Sequence, residues 1–362
     1  MSEHVSVDRA ASNPEWDAFV GAAPGGGYQQ TSAWGQVKTV VGLRAVRLLA
    51  HSDDRLIGGC QVLLRDVGRL GTLAYVPRGP LTATTHAHTH ARTRLLDALR
   101  GLAVEERVGY LTVQPAPGHD DLAEELARRG YRPGRIDVAP RATTLVALAG
   151  RTDEELLGAM RSTTRRRVRQ ALRGDLTVRT GTARDLPILQ RLLEATGARQ
   201  GFTAYSARYQ ETMWRAFGGE RGRARLLLAE RDGRALSCAL LLGAGGTLVY
   251  KLGAWDADGG DGRPNELIHW TAMRWGRDQG YARYDFDGVG LPAARAVRSG
   301  APLPADASGV TFFKLGFGGE VEIYPAAQDL ARPTLLGQAA RHLAPRLRRV
   351  ARLAPRLGGR GR

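Results

Sequence analysis

Lysine is scarce in this chain: three residues, Lys38, Lys251 and Lys314, stand among 52 basic ones, and the rest are Arg. Where an Ala-, Gly- and Arg-rich composition has displaced lysine, a surviving one marks a place for a compact ammonium that a planar guanidinium does not replace. Such a group can stabilise developing negative charge or hold phosphate, and an Arg fork can share the second task. Asp285 and Asp287, in Tyr284-Asp-Phe-Asp-Gly288, could act as bases or could simply cap a turn. His86-Ala-His88-Thr-His90 alternates like a ligand set. No acid or Cys stands near it and a helix follows, so a solvated loop is expected and no metal. Cys60 and Cys238 each lie in an apolar run and are expected as free, buried thiols.

The formal charge of +16 is unevenly placed. Residues 161–173 carry six Arg and no acid, residues 341–362 carry eight Arg and no acid, and the remainder is close to neutral. With 43% hydrophobic residues over 362 positions, the chain can build about two domains, which excludes a disordered basic tail and a small disulfide scaffold. Glu3, Asp8, Glu15 and Asp17 interrupt the start, so no secretory signal is expected there. The most apolar stretch, 235–250, is broken by Gly243-Ala-Gly-Gly246, a turn between strands and not a membrane span. A soluble, cytoplasmic protein is the expectation.

The elements that must position these residues repeat. Arg47–Arg55 runs into Leu56–Leu64 and then Gly71-Thr-Leu-Ala-Tyr75; Arg225–Arg234 runs into Ala235–Leu242 and then Gly246-Thr-Leu-Val-Tyr250. Each reads as an antiparallel meander whose first turn contains Asp. Helical patterns precede them at 13–22 and 32–41, then at 184–196 and 206–217, with Ser32 and Ser206 as N-caps. A helix (91–106 or 265–280) and a strand (110–113 or 284–286) follow each meander. The offset of about 174–179 residues is domain-sized, so this is a duplicated α/β unit and not a solenoid. Thr152-Asp-Glu-Glu155 opens one long linker helix that carries the first Arg cluster, and 310–313 and 321–324 read as late strands.

Further residues stand in this frame in a fixed order: Thr31-Ser-Ala-Trp-Gly-Gln-Val-Lys38, Tyr75-Val-Pro-Arg-Gly-Pro80, Thr163-Thr-Arg-Arg-Arg-Val-Arg169 and Ala195-Thr-Gly-Ala-Arg-Gln-Gly-Phe202. Arg263-Pro-Asn-Glu-Leu-Ile-His-Trp270, Tyr284–Gly288 and Phe312-Phe-Lys-Leu-Gly-Phe-Gly-Gly319 complete the set. The order of elements in each copy is that of the GNAT acyltransferase unit. Two such units bearing these segments resemble the Fem-type aminoacyl-tRNA-dependent peptidoglycan transferases, in a compact form without a helical-arm insertion. The resemblance implies an α/β (α+β) fold of two tandem GNAT-like units with a groove at and near their junction. The expected division is 1–145, completed by 317–340, then 146–316, then an Arg-rich tail at 341–362.

The resemblance also implies an activity. An amino acid passes from aminoacyl-tRNA to an amine on the stem peptide of a UDP-linked or lipid-linked peptidoglycan precursor, by direct aminolysis and without a cofactor. It assigns Lys314 to the oxyanion, with Phe313 beside it. Lys38 and Arg199 are assigned to the precursor's diphosphate, and Tyr75, Arg78, Tyr205 (or Tyr209) and Tyr250 to the groove. The ordinary alternatives are an edge-strand lysine, helix-end cations and a proline-terminated strand. Two positions depart from the family. Gln114 stands where an acid usually precedes Pro115, and Leu252 where a second aromatic follows Tyr250. Arg165, Arg166, Arg167 and Arg169 are assigned to the tRNA backbone, and the tail to tRNA-independent contact with anionic membrane or to none. Arg356-Leu-Gly-Gly-Arg-Gly361 matches a CoA phosphate loop only by chance, having no helix after it. Other readings are transfer to a peptide natural product or in antibiotic resistance, acyl-CoA-dependent acylation, and non-catalytic RNA or membrane binding.

Overall fold

In a computed structural model, residues 3–83, 90–134, 138–257, 262–307 and 309–340 are described. His86, His88 and the whole 341–362 segment, with its formal CoA-loop match, lie outside them. The chain divides into two compact units, residues 1–139 with 324–362, and residues 140–323.

The first unit opens with β1 (Glu3–Asp8), α1 (Pro14–Ala22), α2 (Ser32–Thr39) and the meander β2 (Arg44–Ser52), β3 (Arg55–Asp66) and β4 (Thr72–Val76). The short β5 (Leu81–Thr82), α3 (Ala91–Glu105), β6 (Val108–Val113), α4 (Leu122–Arg128) and β7 (Arg132–Pro133) follow. The second unit runs β8 (Ala142–Ala147), α5 (Asp153–Ala159), α6 (Ser162–Leu172), β9 (Thr177–Thr180), α7 (Leu186–Gln200) and α8 (Ala207–Ala216). Its meander is β10 (Ala224–Arg231), β11 (Arg234–Ala244) and β12 (Thr247–Trp255). After it come α9 (Pro264–Asp278), β13 (Arg283–Asp285), α10 (Leu291–Arg298), α11 (Gly309–Leu315) and β14 (Glu320–Ile323). A last strand, β15 (Gln328–Ala331), returns to the first unit.

The two sheets have the same plan. In the first the order is β1-β2-β3-β4-β6-β15-β7, with β5 also on β3; in the second it is β9-β10-β11-β12-β13-β8-β14. Only the third meander strand and its neighbour run parallel, β4 with β6 and β12 with β13, each joined by a crossover helix, α3 or α9. Even an irregularity is repeated. Ile57 is the extra residue between the pairs Ala50–Gly58 and His51–Leu56, and Leu236 between Ala229–Ser237 and Glu230–Ala235. The meander turns at Asp53 and Asp232 both use positive φ, near 50°.

Four expectations need correction. The unit boundaries fall at 139/140 and 323/324, so β8 and β14 belong wholly to the second unit and only β15 completes the first. Asp329 anchors that return, accepting from the Tyr110 hydroxyl at 2.6 Å and the Thr112 hydroxyl at 2.8 Å. The linker helix is two helices, because Met160 and Arg161 are extended and the Arg161 N–H donates to the Gly316 carbonyl. The N-cap of α2 is Thr31, which accepts from Trp34 N–H, while the Ser32 hydroxyl accepts from Asn13 N–H. Residues 310–313 are helical: Thr311, Lys314, Leu315 and Phe317 are buried, a spacing of three and four that a strand cannot bury on one face.

Both cores are aliphatic sheet faces covered by the crossover helices. Leu95, Leu96, Leu99 and Leu102 of α3 pack on Val46, Leu48, Val62 and Leu111 in the first. Ile268, Ala272 and Met273 of α9 pack on Leu227, Leu241 and Leu248 in the second. Cys60 and Cys238 are free and buried, and burial pushes both thiols up to about 12. They are inert packing residues.

Candidate active site

In the second unit, a cavity of about 810 Å³ opens beside the last part of β12. Its wall includes Tyr205, Tyr250, Lys251, His269, Phe313 and Lys314. The strand can pass here because Gly253 carries no Cβ; an added one would come 1.7 Å from the Tyr250 hydroxyl oxygen. Between the pairs Leu240–Leu252 and Leu241–Tyr250, Lys251 is an extra residue, a bulge that interrupts the alternation of side chains.

Lys314 sits in the last turn of α11, 9% exposed. Its Nζ donates to the Phe286 carbonyl at 2.6 Å and the Gly288 carbonyl at 2.8 Å. Burial, foremost, pushes its pKa down to about 8; Asp287 and Asp285 pull upward and Lys251 presses downward. The group is thus a fixed ammonium at neutral pH, close to the point of losing its proton.

The turn that holds Lys314 is itself tied down. Asp285 Oδ1 accepts from the Thr143 hydroxyl at 2.5 Å and from Asp287 N–H at 2.8 Å, and Gly288 N–H donates to the Thr143 oxygen at 3.3 Å. Burial and the neighbouring Asp287 raise Asp285 to about 6, against the Thr143 hydrogen bond. Asp287, at φ 47°, pairs with Lys251 Nζ at 2.5 Å. Both carboxylates therefore shape this turn, and they also set the charge around Lys314.

Behind Lys314 lies an aromatic box. His269 is ringed by Tyr250, Phe286, Phe313 and Phe317, with centroids 4.5–5.4 Å away. Its Nδ1 shares a 2.8 Å hydrogen bond with the Tyr284 hydroxyl. Burial, and then the Lys314 charge, push the imidazole down to about 3, so it stays neutral. The water-poor wall strengthens any charge interaction at Lys314.

The residues singled out in the sequence fall into two groups. Tyr205, Tyr250, Phe313 and Lys314 line this one cavity. Tyr205 stacks on Tyr209 at 4.3 Å, and it is Tyr205 that reaches the cavity, Tyr209 being buried. Arg199 stands behind the wall, donating to the Trp255 carbonyl at 3.1 Å and lying 4.7 Å from that indole's ring centre. Lys38, Tyr75 and Arg78 belong to the first unit. There the Lys38 ammonium lies 4.3 Å from the Trp34 ring centre, and the Tyr75 hydroxyl donates to Gln114 Oε1 at 2.7 Å. Arg78, 4% exposed, stacks 3.4 Å from the Tyr324 ring centre. Gln114 is buried and is also bonded to the backbone of Ala139, as befits a bridging amide and not a base.

On α6, Arg166, Arg167 and Arg169 are exposed; Arg165 donates to the Gly158 carbonyl at 3.2 Å, and Arg167 also pairs with the buried Glu266 at 3.5 Å. Lys251, Asp285, Asp287 and His269 were not assigned to the site from sequence. The scarcity of lysine was the signal that pointed to Lys251. Among the described residues no group of His, Cys, Asp and Glu could hold a metal ion, and no helix is long and apolar enough to cross a membrane.

The family model for the FemAB family matches residues 11–127, and one described as an acetyltransferase (GNAT) domain matches residues 158–294. The Lipid II:glycine glycyltransferase of Staphylococcus aureus (strain MRSA252) is 25% identical over 355 residues, covering 77% of this chain and 83% of that protein. The crystal structure of FemX superposes with a TM-score of 0.79 at 22% identity, over 95% of this chain and 99% of that one. A tandem GNAT protein from the clavulanic acid biosynthesis pathway superposes at 0.52 with 14% identity, over 91% and 100%. Duplicated GNAT-like sheets, a FemAB match on the first and a GNAT match on the second support an acyltransferase that is similar to the Fem-type family.

Proposed function

We propose that the protein transfers an aminoacyl group from aminoacyl-tRNA to an amine on the stem peptide of a peptidoglycan precursor. One observation carries the reading: a buried ammonium, Lys314, fixed by two backbone carbonyls in the wall of a cavity, in a chain similar to the Fem-type transferases. The aminoacyl ester is already activated, so the enzyme needs no nucleophile of its own. The precursor's amine attacks the ester carbonyl, a C–N bond forms, and negative charge gathers on the carbonyl oxygen. Two N–H groups of Lys314 are held by carbonyls and the third is offered to that oxygen, with no reorganisation at the moment of reaction. The C–O bond to the ribose then breaks, and the ribose oxygen takes up a proton as the new amide nitrogen loses one.

The similarity to a glycyltransferase acting on lipid II supports the acceptor. In this reading Lys38, Tyr75 and Arg78 of the first unit and Arg199, Tyr205 and Tyr250 of the second are the precursor's contacts, with Lys38 and Arg199 as cations for its phosphates. The exposed Arg166, Arg167 and Arg169 follow the tRNA backbone with Arg165. The test is incubation with a charged tRNA pool and each precursor form, followed by mass spectrometry. The expected product is heavier by one aminoacyl residue and is lost on prior RNase treatment. Transfer that survives RNase refutes the tRNA donor, and an unchanged precursor refutes the acceptor.

A further inference from the structure

Lys251 and Asp287 form something that oxyanion stabilisation by Lys314 does not require. Their ion pair is 2.5 Å long, with side chains only 14% and 10% exposed, and both residues line the Lys314 cavity. Pairs at such depth carry a desolvation cost that apolar residues of similar volume avoid. Even so, one of the chain's three lysines is kept here. The backbone is also shaped to aim both members. Lys251 is the extra residue of the β12 bulge, and Asp287 takes a left-handed φ of 47° that residues other than glycine seldom adopt.

We infer that the Lys251–Asp287 pair is a recognition subsite for a carboxylate borne on the same carbon as the acceptor amine. The acceptor side chain is then of the diamino-dicarboxylate class, as in diaminopimelate, and not a plain lysine. The inference rests on the amine-acceptor reading of this cavity. A carbon carrying an ammonium and a carboxylate is the charge complement of the pair: the carboxylate takes N–H donors from Lys251, and the amine approaches Asp287. An ammonium offers three donors and a carboxylate about four acceptor sites, so each member can add a partner and keep the other.

The register fits the chemistry. Asp287 lies between Phe286 and Gly288, whose carbonyls hold the Lys314 Nζ. An amine attacking a carbonyl whose oxygen rests on Lys314 therefore has Asp287 beside it, with Lys251 one ion-pair length further on. A lysine acceptor brings only a methylene to that place. The aminoacyl carboxyl of the donor is esterified and uncharged, so it offers Lys251 no carboxylate.

Calorimetric titration of the full chain tests this with three nucleotide-linked precursors that differ only at the acceptor residue. They carry diaminopimelate, diaminopimelate amidated at the carboxyl next to the acceptor amine, or lysine. The expected result is a Kd about tenfold lower for the free carboxylate than for either other form. Lys251→Met should bring the three values together by weakening only the first. Equal Kd values on the unaltered protein overturn the subsite, as does uniform weakening in the variant. The amidated precursor needs no variant, so the outcome does not depend on Lys251→Met folding. Because binding is read without transfer, discrimination by Kd upholds the subsite even where no precursor form is aminoacylated from charged tRNA, an outcome that refutes only the transferase reading, and turnover with equal Kd values does the reverse.

Discussion

The two units share a strand order, a bulge at Ile57 and Leu236 and a tyrosine late in the meander, Tyr75 or Tyr250, yet they part company immediately after that tyrosine. In the first, Pro77-Arg78-Gly79-Pro80 leaves the sheet and the chain comes back at Leu81 and Thr82 against β3. There the Gln30 amide donates to the Pro77 carbonyl, and Arg78 lies under Tyr324. In the second, the strand stays paired through a one-residue bulge to Trp255, and a cavity remains with Lys251 and Tyr250 in its wall. The same hydrogen-bonded frame thus lets the chain leave the sheet in one copy and keeps it paired beside a cavity in the other. What differs is how many residues are inserted where the third strand bends, and whether proline or lysine occupies them.

The sharpest way to break this contrast is to remove a lysine from each unit. Lys314→Met should lower kcat by about 10²–10³ with little change in precursor affinity, as for a lost oxyanion donor. Lys38→Met should instead raise KM about tenfold and leave kcat nearly intact, as for lost uniform binding. Steady-state rates separate the two, and a kcat loss in both variants would erase the division of labour.

A structural counterpart lies in the first unit. Arg47, fully buried, pairs with Asp8 at 2.8 Å and ties β1 to β2. Asp8→Ala should cost about 3–5 kcal/mol in urea unfolding, because it strands a buried charge. Turnover per folded molecule should be unchanged.

The pH dependence sharpens the picture of the second unit. Lys314 must keep its proton to meet an oxyanion, so kcat should fall as pH rises through about 8. Asp287→Asn removes a charge that favours the ammonium and should move that limb to lower pH. Lys251→Met removes a charge that disfavours it and should move the limb to higher pH. Shifts in the same direction would contradict the charge arrangement. The smallest effect is expected on α6. Arg166→Ala should reduce the salt slope of tRNA binding by about one. Arg167→Ala should in addition destabilise the fold, through the buried Glu266.

The duplication was readable because it is written in local signals: alternating strands, Asp-containing turns, capping residues and an offset that holds over half the chain. Lys314 was readable by scarcity and motif, but its helix was not. Val310-Thr-Phe-Phe313 is a run of strand-favouring types, and only burial of Thr311, Lys314 and Leu315 against the second core makes it helical. Asp285 and Asp287 looked like turn residues because that is locally what they are. Their effect on Lys314 depends on burial and on partners distant in sequence, the Thr143 hydroxyl on Asp285 and the Lys251 ammonium on Asp287. The β12 bulge was equally hidden, since one extra residue shows only in the pairing with β11.

The exchange of strands has a consequence for how the molecule is made. As the chain leaves the ribosome, the first unit reaches β7 with the edge of β6 still open. The partner of that edge, β15, follows only after the whole second unit, about 195 residues beyond β7. During that interval Tyr110 and Thr112 have no Asp329 to bind, and an unpaired edge strand faces whatever is near it. Cutting the chain once, at 139/140, would therefore not yield two halves. It would leave one unit short of a strand and append that strand to the other.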